Sequence, residues 1–155
     1  MRFSDFRALF EGSIRSSLSW ELLEQYSPEI VDYIIVEKSV IGKMLTVWYR
    51  GASGNPSVYQ SVGARQQTVA EASRQDLPAW PADRASRISN IQSACEHSSE
   101  PTVILAPCYQ SAHGLLILDG THRVVGSYLS GADTRILAPT IVAPSEGKYL
   151  PDLRA

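Results

Sequence analysis

Five consecutive residues, Asp119-Gly120-Thr121-His122-Arg123, place a carboxylate, a hydroxyl, an imidazole and a guanidinium side by side. That set suits the holding of an anion, above all a phosphate, and phosphoryl transfer needs mostly positioning and charge neutralisation. Arg123 brings a fork of donors, and His122 a donor when suitably protonated. Thr121 offers a hydroxyl to a helix cap, a phosphate or a metal. Asp119 can hold a metal, order a base, or simply bond its own backbone in a turn.

The flanking residues say which elements carry this cluster. Leu115 to Leu118 is an unbroken apolar run, short enough for a strand buried on both faces. Asp119-Gly120 is a turn dipeptide. Apolar residues return at 124, 125, 128 and 129, the rhythm of a helix with one buried face, and Gly131 stands where a helix stop belongs. The reading is strand, tight turn, helix, with Thr121, His122 and Arg123 in the first helical turn. There the leading N–H groups have no internal partner and the dipole is positive, so an anion is the natural guest. The plainer alternative is a turn capped by Thr121, with His122 and Arg123 solvated.

Residues Ile117 to Arg123, followed by a small-and-apolar helix ending at Gly131, resemble the signature of the ParB/sulfiredoxin superfamily. The resemblance covers about residues 83–142; residues 1–70 match no named family. It implies one ParB/sulfiredoxin-like domain over 1–155, in which Gly120, Thr121, His122 and Arg123 cradle nucleotide phosphates. Asp119 and His122 would be the catalytic candidates, with Asp119 also the metal candidate for Mg²⁺ beside ATP or another nucleoside triphosphate. Sulfiredoxins carry a reactive cysteine between the glycine and the histidine; Thr121 stands there, so sulfinic-acid repair is not expected. Chromosome-partition members have two arginines where this chain has His122-Arg123, bind CTP, and continue into a helix-turn-helix and a dimerisation domain. The Asp-Gly-His-His-Arg motif of members similar to the free-serine kinases is nearer, with Thr121 replacing the first histidine. Some plasmid-encoded relatives are ATPases or nucleases that interfere with DNA transfer.

Composition bounds the rest. A chain of 155 residues with 44% apolar and 19% charged residues fits one globular domain with a real core. The balance of 14 Lys+Arg against 16 Asp+Glu, with no basic run, argues against a protein held on DNA mainly by phosphate contacts. No apolar run is long enough to span a membrane, and the first residues lack the core of a signal peptide. Cys95 and Cys108 show no metal or redox spacing, so a cytoplasmic protein with reduced thiols is expected. His97, His113 and His122 lack zinc spacing, and neither a nucleophile elbow nor a P-loop occurs.

Taken in order, Phe3, Phe6 and Phe10 predict one helix and Leu18 to Tyr26 a second, closed by Pro28. Packing against the core is preferred for this pair over a partner-binding role. Residues 33–37 and 43–50 read as two strands joined around 39–42, and 51–57 as a loop. A further short strand is expected over 57–62, then loop with some helix over 63–73. Residues 77–81 form an extended lead-in with two prolines. Asp83 then N-caps a helix with Ala85, Ile88, Ile91 and Cys95 inward, and Arg84 and Arg87 on another face. Those arginines either reach a nucleotide or, more commonly, lie solvated. Residues 102–106 form a strand, 107–112 a hairpin-like connection to its neighbour 115–118, and 135–137 and 140–142 one or two more.

The expected fold is therefore α+β (or α/β), a small mixed sheet flanked by helices. The function favoured is nucleotide binding, of the ATP type, with phosphoryl transfer or hydrolysis. One rival is a DNA-acting protein, either a nuclease or a DNA-binding regulator; another is a catalytically inactive interaction module.

Overall fold

The apolar run at 115–118 is buried on both sides, as its composition requires. In the computed structural model, which describes residues 1–74 and 80–151, it forms strand β7 (Gly114–Ile117) in the interior of a mixed sheet. Leu116 and Leu118 join Phe6, Leu45, Tyr109 and Ile141 in one core, and Ile117 joins Trp48, Ile88, Val124 and Ile136 in another. The sheet is the partition between the two.

The sheet has eight strands among the described residues, and the fold is α+β. Strand β1 (Glu29–Ile35) forms an edge and runs antiparallel to β8 (Thr134–Val142), with Ile34 opposite Leu137. The other side of β8 takes β5 (Thr102–Leu105) and then β6 (Cys108–Ser111), both parallel to it. Strand β6 turns back antiparallel onto β7, and β7 lies parallel to β2 (Leu45–Arg50) through Leu45 and Leu116. Beyond β2 come β3 (Pro56–Ser57) and β4 (Arg65–Thr68), both antiparallel to it.

Helices cover both faces. On the first, α1 (Phe3–Phe10) and α2 (Trp20–Tyr26) drive Phe3, Phe6, Phe10, Trp20 and Leu23 into the core. Phe6 lies 4.8 Å from Phe10 and 6.4 Å from Trp20 between ring centroids, distances at which aromatic pairs add to simple burial. On the second lie α3 (Lys38–Lys43), α4 (Val69–Ala72), α5 (Ala82–Glu96) and α6 (Thr121–Ser130). Helices α5 and α6 approach closely at Gly126, where a Cβ would stand 2.7 Å from Ile91 Cγ2 and 3.1 Å from the Ile88 carbonyl oxygen. Even an alanine would push the two helices apart, which fixes the distance between α5 and the start of α6.

Several expectations need correcting. The connector between the first two strands is helix α3, and those strands do not pair: β1 lies at one edge, with β8, β6 and β7 between it and β2. Residues 58–62 are not a strand; β3 ends at Ser57 and the next strand starts at Arg65. The expected loop at 63–73 holds β4 and α4, the latter capped by Thr68 and Glu71 reciprocally. Residues 108–111 are strand β6, and β6 rather than β5 neighbours β7, because β5 aligns with β8. Asp83 lies in the first turn of α5, and Pro81 holds the N-cap. The strand expected in one or two pieces after α6 is the single β8. Most of the 77–81 lead-in lies outside the described residues.

Both cysteines are free and buried, and burial pushes the Cys108 thiol far above its ordinary value, away from the thiolate that a nucleophile needs. Changing Cys95 and Cys108 together to serine should leave any turnover of the folded protein intact. A folded double variant without turnover would contradict this.

Candidate functional site

Strand β7 ends at Ile117, and the chain must reverse before α6 can pack on the second core. Gly120 makes that reversal with φ at 88°, a left-handed conformation that side chains resist, and serves as the N-cap of α6. Thr121 is the first helical residue, as the strand–turn–helix reading has it, and not the cap of the plainer alternative; it is 4% exposed. Val124 N–H donates to Gly120 C=O at 3.0 Å, closing the first helical bond. The N–H groups of Thr121, His122 and Arg123 thus precede any acceptor of their own helix.

A cation in the first helical turn opposes the dipole, and the structure supplies the missing negative charge. Arg123 folds back along the turn so that its Nη2 lies 3.5 Å from Asp119 Oδ2. The same nitrogen is 3.1 Å from where a Cβ on Gly120 would stand. The glycine is needed here for its φ, and a Cβ would in addition displace the guanidinium that lies across it. Both partners are substantially exposed, so the pair itself adds little stability, but it holds a guanidinium across the mouth of the turn.

His122 points the other way, into the second core's rim. Its ring meets Trp48 of β2 edge-on at 5.1 Å, and the guanidinium of Arg84, from α5, lies 4.4 Å from the centre of the same indole. Trp80 approaches Trp48 at 6.4 Å. Arg84 is thus not a solvated residue of an outer helix face: it is half-buried and stacked, whereas Arg87 is exposed. The His122 pKa is held below its usual value, first by burial and then by Arg87 and Arg84, with Asp83 and Asp119 pulling the other way. Near neutral pH the imidazole is therefore uncharged, able to accept a proton on one nitrogen and donate from the other.

All five residues singled out from the sequence thus occur in one turn, but they are not one cluster. Asp119 and Arg123 form one pair, His122 belongs with Trp48 and Arg84, and Thr121 lies buried between. Trp48 also walls a cleft of about 430 Å³ that Val47, Tyr49, Tyr59, Gln66 and Arg84 help to line. Sequence reasoning missed Trp48 and the cleft, since nothing in the 45–50 strand pattern distinguishes a site tryptophan from a core one.

No protein-family model, curated protein or solved structure matches this chain. The resemblance of the Gly120–Arg123 turn to the ParB/sulfiredoxin signature rests on those residues alone.

The turn offers few donors to a metal. Asp119 is the turn's one carboxylate, Thr121 its one hydroxyl, and among the described residues no group of three or more His, Cys, Asp and Glu converges on a point. That suits Mg²⁺ carried on phosphate oxygens with a single protein carboxylate, not a cage built by the protein.

The titration of His122 has a definite sign. The unfolded chain binds this proton more readily, so the His122 contribution to folding stability declines as the pH falls below the ordinary histidine value of about 6.5. Denaturant unfolding of the parent and of His122→Asn as the pH is lowered through that value measures the decline, and parallel curves for the two would contradict it.

Proposed function

We propose that the chain binds a nucleoside triphosphate of the ATP type, with its phosphates at the Gly120–Arg123 turn, and transfers or hydrolyses the terminal phosphoryl group. The observation that carries the reading is the start of α6, where the leading N–H groups and the Arg123 guanidinium share one turn, with a neutral His122 and the Arg84–Trp48 stack on its other side.

The residues divide the work by their positions. The first-turn amides and Arg123 bind phosphate oxygens, Arg123 exchanging part of its contact with Asp119 for the ligand. Thr121, packed at the helix start, can turn its hydroxyl only within a confined space, which favours positioning over proton transfer. His122, uncharged and steadied by Trp48, is the group able to take a proton from an attacking hydroxyl or water. Asp119 is the residue that would hold Mg²⁺ beside the phosphates, and the ion would supply charge neutralisation there. Asp119 is placed to order that region, so Asp119→Asn should keep or improve affinity while reducing turnover.

A thermal-shift screen with ATP, ADP, GTP and CTP, each with and without Mg²⁺, tests the reading. A ligand at 100 times its Kd should add about 2.7 kcal/mol of stability. No shift with any of them would remove it.

A second reading has its own support: half-buried Trp80 and Arg84, both packed on the buried Trp48, make an aromatic and cationic surface of the kind on which single-stranded nucleic acid lies. It is a DNA-acting protein, a nuclease or regulator, and it requires oligonucleotide binding that weakens steeply with salt.

A further inference from the structure

We infer that the cleft walled by Trp48 is the subsite for the nucleoside part of the ligand, and that it selects a base carrying an exocyclic amino group. This rests on the phosphate reading of the neighbouring turn. The cleft is lined by strand β2 and by the segment 57–60 beyond it, with Arg84 from α5 and Leu116 from β7. Its volume of about 430 Å³ falls in the range that encloses one small organic ligand.

The chemistry of the walls narrows the ligand. Among the described residues Arg84 is the one charged group in the lining and no carboxylate joins it, which disfavours a cationic guest. Tyr49 and Tyr59 stand 6.4 Å apart in a tilted pair, so the half-exposed Tyr59 offers aromatic surface to a flat ring, while Trp48, 6% exposed beneath Arg84, forms the wall behind it. The side-chain amide of Gln66 lines the cleft beside the ring's edge. Gln66 uses one Nε2–H on the Thr46 carbonyl oxygen at 2.8 Å, which fixes the amide plane and with it the direction of the Oε1 acceptor. An acceptor oriented in this way pairs with an exocyclic amino group and repels a ring carbonyl set against it. Trp48 touches His122 as well as the cleft, so base and phosphates would occupy adjoining sites, one on each side of the indole.

Titrations of the full chain with Mg²⁺ and four probes, ATP, inosine triphosphate, inorganic tripolyphosphate and adenosine, separate this inference from the reading beneath it. Tyr59→Ala removes a cleft wall on a half-exposed residue, and Val58→Trp blocks the cleft from a residue that is 60% exposed, so at least one variant should stay folded. Binding of ATP about 10-fold tighter than tripolyphosphate and several-fold tighter than inosine triphosphate is expected. Both variants should lower ATP toward tripolyphosphate and leave tripolyphosphate unchanged. Equal affinities for ATP and tripolyphosphate, insensitive to both variants, would overturn the subsite while the phosphate reading stands. Equal affinities for ATP and inosine triphosphate would overturn the Gln66 assignment. Adenosine binding lost in the variants, with no tripolyphosphate binding, would uphold the cleft and remove the phosphate reading.

Discussion

Ile117→Ala should destabilise the fold by about 2–5 kcal/mol, because it leaves a cavity in a core strand that has no way to collapse around it. Ile117 is fully buried, sits between β6 and β2, and belongs to the same core as Val124 and Val125 of α6. The loss should therefore loosen the seating of α6 as well as the sheet. Ile34→Ala makes the control: it deletes the same atoms from a side chain that is 71% exposed on edge strand β1, and should stay within about 0.5 kcal/mol of the parent. Chemical denaturation of both variants measures the difference. Comparable losses from the two would mean that β7 is not the interior strand from which the turn is projected.

The second large effect falls on binding. Arg123→Ala should weaken nucleotide affinity by about 10- to 100-fold, the loss of a charge-assisted contact worth roughly 1.5–3 kcal/mol. The Asp119 pair adds to it, since without Arg123 the carboxylate faces the phosphates uncompensated. Asp119→Asn in the same chain should then recover part of the loss, although alone it has little effect on affinity. Such non-additivity is what two residues in one contact produce. Strict additivity in calorimetric titrations of the three variants would mean that Asp119 and Arg123 act separately.

How far the sequence announced this arrangement depends on how local each signal is. The β7–turn–α6 unit was readable because its strand is continuously apolar, its turn needs a glycine and its helix has one apolar face; all three signals lie within one stretch. The Phe3, Phe6 and Phe10 helix was readable for the same reason. Strand β6 was not: Cys108 to Ser111 follows a proline, carries two polar residues, and owes its extended form to β7 and β8 on either side. Strand β2 was found, and β1 only in its last three residues, since it begins at Glu29 and ends at Ile35 rather than running over 33–37; their partners β7 and β8 lie about 71 to 113 positions away, which no local pattern carries. Helix α3 occupies only six residues, too short to show a periodic face. At the site, the same division holds. Asp119 to Arg123 were legible as neighbours, whereas Trp48 and Arg84 reach the turn only through the packing of β2 beside β7 and of α5 on α6.

Assigned amide spectra recorded during titration with MgATP test the central claim most directly. The account predicts saturable shifts that are largest at the N–H groups of Thr121, His122 and Arg123, reproduced in that turn by inorganic tripolyphosphate and much weakened in Arg123→Ala. Saturable binding that leaves those three amides unmoved, or no binding at ligand concentrations that saturate ordinary nucleotide sites, would contradict it.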